Sequence, residues 1–300
     1  ALPIFHVHGL FIASHCALLN GTPMIFLPKF EVNEVFERLS DCTVLMGVPT
    51  FYTRLLSLSS LTPDYVKHVR LFISGSAPLT EVTFREWKEK TGVEILERYG
   101  MSETIINTSN PLDGERVAGT VGFPLPGLDL RIADSKGQAL PPGEIGTIEV
   151  SGPAIMKGYW RMPEKTKEEI RQDGFFITGD MGVQDKDGRV SIVGRGKDLI
   201  ISGGFNVYPK EVESAIDEIP GVQECAVIGV PHADFGEVVV VVVVPNKEEL
   251  SLDNIKSEIE GSLAKFKQPK AIINVAELPR NTMGKVQKNI LREKYADLMG

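Results

Sequence analysis

Short apolar runs alternate with stretches whose apolar residues recur every three or four positions, and this alternation orders the first third of the chain. Residues 1–19 read as an apolar entry followed by a helix. Met24–Leu27 reads as a strand, Val32–Leu39 as an amphipathic helix, Thr43–Val48 as a strand and Pro49–Leu58 as a helix. Val69–Ser74 is the next strand and Thr80–Thr91 the next helix, with Thr80 as N-cap and Gly92 as C-terminal stop. Val93–Leu96 adds another strand. Strands and helices in strict alternation predict a parallel α/β sheet.

After residue 118 the texture changes. Short strands separated by Pro and Gly turns are predicted at Leu128–Ala133, Gly146–Ser151, Gly174–Thr178 and Val190–Val193, which describes a β-rich subdomain. A third region begins near Asp198. It holds a strand at Leu199–Ile201 and a helix with an acidic face at Lys210–Ile219. Strands follow at Ala226–Gly229 and Val238–Val244, then a helix at Leu252–Leu263, a strand at Ala271–Val275 and a helix at Val286–Leu298. The expected fold class is therefore α/β, with divisions at 1–118, 119–197 and 198–300, the last a compact α+β unit.

Composition narrows the classes of function. With 42% hydrophobic and 24% charged residues the chain is globular. A net charge of −8 argues against a general nucleic-acid or membrane-surface binder, though not against a local basic site for an anion. Val238–Val244 is too short to span a bilayer and reads as a buried strand ended by Pro245. Cys16, Cys42 and Cys225 form no CxxC pair, which fits a reducing, cytoplasmic setting and gives no metal signature.

Several stretches could carry chemistry. Gly75-Ser76-Ala77-Pro78-Leu79 joins a strand to a helix; small residues there admit a flat or charged ligand, and they also serve ordinary strand–helix turns. Tyr99-Gly100-Met101-Ser102-Glu103-Thr104 offers an aromatic plane, a close-approach Gly, a hydroxyl and a carboxylate able to hold Mg²⁺. The same residues also suit a loop with a buried Tyr and a solvated Glu. Asp180 and Arg195 each stand at the end of an apolar strand, around a hairpin with its turn at Asp185–Gly188. Asp180 could accept both hydroxyls of a ribose, and Arg195 could bond the sugar or a phosphate. Lys285 follows Gly284 in a flexible turn before the last helix, where it could be a surface residue or a mobile cation on a phosphate.

Taken in order, GSAPL, YGMSET, GEIG (143–146), GYW (158–160), FFITGD, GRGKD and NTMGK resemble the adenylate-forming acyl-CoA synthetase superfamily along the whole chain. Within it the chain is most similar to malonyl-CoA synthetases. The finer likeness rests on FHVHGL (5–10), ILERYGMSET (95–104), GTVGFPLPG (119–127), GFFITGD (174–180), KDLIISGGFNVYPKEVE (197–213), KQPKA (267–271) and ELPRNTMGKVQKNILREKY (277–295).

The resemblance implies two half-reactions. A carboxylate attacks the α-phosphate of ATP, releasing pyrophosphate; the thiol of coenzyme A then displaces AMP. It implies that Gly75, Ser76, Ala77, Glu97, Tyr99, Gly100, Met101, Ser102, Asp180 and Arg195 surround the nucleotide. It also implies that Glu103 carries Mg²⁺ and that Lys285 bridges the carboxylate and α-phosphate. Arg98, with Ser74, His6, His8 and Met101, would receive the second carboxylate of malonate or methylmalonate, His6 also standing near the reacting group. Gly203, Gly204 and Phe205 would meet coenzyme A, and Lys197 would be the hinge of a mobile C-terminal domain. The competing expectations are a ligase for another small or aromatic acid, or a nucleotide-binding fragment without activity. A Ser/Thr/Gly-rich phosphate loop with a Lys is expected upstream of the first motif and is absent from the sequence. The resemblance therefore implies that roughly 200 residues precede it, on the scale of a further domain. The expected partners are small molecules, with no nucleic acid or membrane; the oligomeric state is left open.

Overall fold

The computed structural model describes residues 1–246, 250–282 and 284–299. The chain divides into two compact units, Ala1–Thr178 with Gly182–Ile192, and Gly179–Met181 with Val193–Gly300.

The first unit opens with a π-helical stretch, His8–Ser14, that runs into α1 (His15–Leu19). Then follow α2 (Val32–Leu39), β1 (Val44–Gly47), α3 (Pro49–Leu56), α4 (Pro63–Val66), β2 (Leu71–Ser74), α5 (Glu81–Thr91) and β3 (Ile95–Tyr99). β1, β2 and β3 pair in parallel, as the alternation predicts. Two short antiparallel strands, β4 (Thr108–Ser109) and β5 (Phe123–Pro124), extend this sheet. Local chemistry sets the limits of α5. Thr80 Oγ1 accepts the Thr83 N–H at 3.1 Å, and Gly92 ends the helix at φ +75°, a conformation that costs a residue without Cβ little. The core beneath is built on Trp87, Tyr52 and Phe72, all fully buried, with Tyr52 and Trp87 edge to face at 4.9 Å.

A second sheet has the order β6 (Asp129–Ala133), β7 (Gly146–Ser151), β8 (Phe176–Gln184), β9 (Val190–Arg195), with α6 (Pro163–Glu169) between β7 and β8. The β8–β9 hairpin is shared: its closed end belongs to the first unit, while Gly179–Met181 and the chain from Val193 belong to the second.

The second unit adds the hairpin β10 (Ile200–Ser202)–β11 (Phe205–Val207), then α7 (Pro209–Asp217), β12 (Val222–His232), β13 (Gly236–Pro245), α8 (Leu252–Ile259), β14 (Ala271–Asn274) and α9 (Lys288–Lys294). The strand order is β11-β10-β13-β12, with β14 parallel to β13. The valine run follows from this placement. Val239, Val241 and Val243 pack with Val212, Ile216, Ile255 and Ile259 on one face. Val238, Val240, Val242 and Val244 pack with Leu278 and Leu291 on the other. A strand buried on both faces needs no polar alternation.

Three expectations are corrected. Met24–Leu27 is irregular, exposes Met24, Ile25 and Phe26, and pairs with no strand among the described residues; apolar sequence makes a strand only where a neighbour completes the ladder. β3 runs to Tyr99 and not only to Leu96, so Arg98 lies on the strand. Asp180 sits inside β8, because pairing with β9 carries the strand to Gln184. Gly203-Gly204 is the turn of the β10–β11 hairpin, at φ +58° and +83°.

Candidate functional site

In the first unit the sheet order brings two segments side by side. Ser74 ends β2 and stands opposite Glu97 of β3. The next residues are the Gly75–Ala77 loop on one strand and Arg98–Gly100 on the other. Glu97 is buried, and its Oε1 accepts the Leu79 N–H at 3.1 Å, which ties the far end of the loop back to β3. Ser76 holds φ +71°, a sparsely populated region for a residue with a Cβ, and its hydroxyl lies 3.0 Å from His8 Nδ1. A Cβ on Gly75 would stand 3.4 Å from Arg98 O and 3.6 Å from His8 Cε1, so the loop, His8 and Arg98 are immediate neighbours.

The π-helical stretch begins at His8, and its N–H donates to His6 Nδ1 at 3.2 Å. Burial, then the charges of His6 and Arg98, push the His8 imidazole down to about 4. His8 is therefore neutral at pH 7, and Arg98 supplies the fixed positive charge. Arg98 is half-buried, and its Nε has no hydrogen-bond partner. Burial lowers its pKa, against a smaller raising effect of the Cys16 thiol, and among the described residues no carboxylate acts on it. Ser74 Oγ beside it is also buried and unpartnered. A desolvated guanidinium without a counter-ion is costly unless something anionic completes it.

Tyr99 is buried among Val121, Ile148, Val150 and Phe176, with Met101 against the cluster. After it the chain turns sharply. A Cβ on Gly100 would fall 2.1 Å from Ile105 O, so only glycine fits. Met101 O accepts both the Thr104 and Ile105 N–H groups, and Tyr99 O accepts the Asn107 N–H at 2.8 Å. This turn exposes Ser102 and leaves Glu103 half-buried. Glu103 Oε1 accepts the Tyr159 hydroxyl at 3.2 Å. Thr104, Asn107 and Thr108 are fully buried, with side-chain polar atoms that lack partners. The sequence reading gave no role to Asn107, Thr108 or Tyr159. The signal was a polar run, Asn107–Asn110, that looks like loop until its burial is known.

In the second unit Asp180 is buried, and its Oδ1 pairs with Arg195 Nε at 3.0 Å. The two residues singled out in the hairpin thus meet across it. Lys197 lies in a short 3-10 turn, Gly196–Asp198, and Asp198 Oδ1 accepts from Arg292 Nη1 at 2.8 Å. Phe205 is exposed after the Gly203-Gly204 turn and stacks on Phe266 at 4.7 Å. Lys285 follows Gly284, at φ +75°, in a closed turn: its N–H donates to Asn281 Oδ1 at 3.0 Å, and its carbonyl accepts the Asn281 N–H at 3.0 Å. Met283 of that motif lies outside the described residues.

Among the described residues no three His, Cys, Asp or Glu side chains gather to hold a metal, and no helix is long and apolar enough to cross a membrane.

A probable CoA ligase of Humulus lupulus is 39% identical, covering 98% of this chain and 54% of its own length. The malonate–CoA ligase of Arabidopsis thaliana is 36% identical, covering 97% and 53%. The crystal structure of ATP-bound MatB from Rhodopseudomonas palustris is 60% identical and superposes with a TM-score of 0.98, covering 100% of this chain and 60% of that one. The chain thus spans about half the length of the curated relatives it matches. The family model described as AMP-binding enzyme matches residues 1–160, and the one described as AMP-binding enzyme C-terminal domain matches residues 211–285. The chain belongs to the AMP-binding enzyme family.

Proposed function

We propose that the full-length protein is an AMP-forming ligase that joins malonate to coenzyme A through malonyl-AMP. The observation that carries the choice of acid is Arg98: a half-buried guanidinium with an unpartnered Nε and, among the described residues, no carboxylate acting on it. A monocarboxylate has one charged end, which reacts. A dicarboxylate brings a second carboxylate, and a guanidinium fork can bind it through two parallel hydrogen bonds. Neutral His8, Ser74 and His6 supply further polar atoms close by, and Met101 limits substituents on C2. The malonate–CoA ligase named among the relatives supports the same choice.

The nucleotide is assigned to Gly75, Ser76, Ala77, Glu97, Tyr99, Gly100, Met101, Ser102, Asp180 and Arg195. Asp180 takes the ribose hydroxyls, with Arg195 already oriented by their ion pair. Glu103 fits a magnesium ion. Its Oε1 is engaged by Tyr159, which leaves the second oxygen for a hard cation whose other ligands would be phosphate and water oxygens. When bound, that ion offsets phosphate charge. Lys285 brings a cation to the junction of carboxylate and α-phosphate, where negative charge builds up as the P–O bond forms and pyrophosphate leaves. Gly203, Gly204 and Phe205 are assigned to coenzyme A, whose thiolate attacks the acyl carbonyl and releases AMP. Lys197 is the proposed hinge of a mobile domain beginning at residue 198. The test is product analysis by mass with malonate, methylmalonate, acetate, octanoate and coumarate. Malonyl-CoA and AMP as the dominant products support the reading; preferential use of a monocarboxylate sinks the choice of acid.

A further inference from the structure

The GYW segment has no assigned role, and its geometry converges on one carboxylate. The Tyr159 hydroxyl donates to Glu103 Oε1 at 3.2 Å, across 56 positions of sequence. Three residues earlier, the Met156 N–H donates to Glu103 O at 2.8 Å. One segment therefore holds both the backbone and the side chain of Glu103.

The segment is itself locked. The Tyr159 N–H donates to Thr166 Oγ1 at 2.9 Å, and Thr166 Oγ1 donates to Met162 O at 3.0 Å. Gly158 sits at φ +150°, and a Cβ there would stand 2.8 Å from Thr166 Cγ2, so the close approach of this segment to α6 favours glycine. Arg161 takes φ +56°, unusual for a residue with a side chain, and Trp160 is left 84% exposed. The loop accepts a strained backbone and a solvated indole while Tyr159 points inward to Glu103. Packing alone does not ask for that, since a phenylalanine would fill the same space. The hydroxyl is the part that needs a reason.

We propose that Tyr159 is a positioning residue for Glu103, held in place by Thr166. This rests on the reading of Glu103 as the residue that carries Mg²⁺. An unrestrained glutamate turns about three side-chain torsions. A hydrogen bond to one oxygen fixes those torsions and aims the other oxygen at the cation before it arrives. Such outer partners commonly change metal affinity by roughly ten- to a hundredfold.

The test uses the full-length protein, Mn²⁺ as a spectroscopic probe and a non-hydrolysable ATP analogue. Tyr159→Phe is expected to weaken Mn²⁺ binding in the nucleotide complex about tenfold. Analogue binding without metal should stay within about twofold, because that hydroxyl touches Glu103 and not the nucleotide sites. Thr166→Val should shift Mn²⁺ binding in the same direction. Thr166→Ser, which keeps the hydroxyl, should match the parent and so separates the hydrogen bond from folding defects. If Glu103→Gln loses Mn²⁺ while Tyr159→Phe and Thr166→Val bind it as tightly as the parent, the positioning role is overturned and the Glu103 reading stands. If Glu103→Gln also binds Mn²⁺ unchanged, the Glu103 reading falls and the positioning role falls with it.

Discussion

Arg98→Met exchanges the guanidinium for an apolar side chain of comparable length, so it changes charge more than volume. A hydrogen bond to a charged group contributes about 1.5–3 kcal/mol, and removing one member of a desolvated charge pair costs about 2–5 kcal/mol. Arg98 is half-buried, and water can reach part of the site. A loss of about 3 kcal/mol for malonate is therefore expected, or roughly a hundredfold in kcat/KM. Propionate leaves the guanidinium unpaired in the parent protein, so its kcat/KM should move by no more than about threefold. Arg98→Lys keeps the charge without the fork and should fall between. The unpaired, desolvated guanidinium also predicts that Arg98→Met will not lower the melting temperature of the ligand-free protein. The assay is pyrophosphate release with each acid at fixed ATP and Mg²⁺. Equal losses for malonate and propionate, or a marked fall in stability, would refute the assignment of Arg98 to a second carboxylate.

Four further outcomes follow from particular groups. The fold holds His8 neutral with a pKa of about 4, below the ordinary 6.5, so the unfolded chain takes up a proton first as pH falls. Stability should drop between pH 6.5 and 4 by about 3 kcal/mol from this group, and His8→Gln should flatten that part of the curve in urea unfolding. Asp217 is shifted the other way, to about 6, chiefly by burial, with the charge of Glu213 adding to it; Cys225 Sγ lies 3.3 Å from its Oδ1. Its ionisation costs the fold as pH rises from 3.8 through 6, so Asp217→Asn should stabilise the protein by about 2–3 kcal/mol at pH 7 and not at pH 3.5, read from the unfolding midpoints. Gly100→Ala places a Cβ 2.1 Å from Ile105 O and should destabilise by roughly 2–3 kcal/mol in the same assay. Lys285→Ala should lose adenylation in single turnover yet transfer supplied malonyl-AMP to coenzyme A, and retention of both steps would remove Lys285 from the first.

Much of the fold was legible where local rules act. Thr80 and Gly92 bound α5 because cap and stop act within one turn. The valine run declared a strand covered on both sides, which β13 is. Non-local pairing was illegible: the same apolar character makes Val44–Gly47 a strand and leaves Met24–Leu27 irregular, because only the first has β2 beside it. Asp180 and Arg195 could be suspected from sequence, but not that they form an ion pair across the hairpin. Tyr159 could not be placed on Glu103, since nothing in a 56-residue separation encodes a hydrogen bond. The neutrality of His8 depends on burial and on its neighbours Arg98 and His6, and no local pattern carries either.

The central claim is that malonate is activated by bonding one of its carboxylate oxygens to the α-phosphate of ATP. It is tested most directly with malonate labelled with ¹⁸O in its carboxylates, full-length protein, ATP, Mg²⁺ and coenzyme A. When the thiolate displaces AMP, the oxygen that bridged carbonyl and phosphorus leaves with phosphorus. The account predicts malonyl-CoA together with AMP carrying one ¹⁸O in its phosphate. Unlabelled AMP, or ¹⁸O in inorganic phosphate with ADP as the nucleotide product, would contradict it.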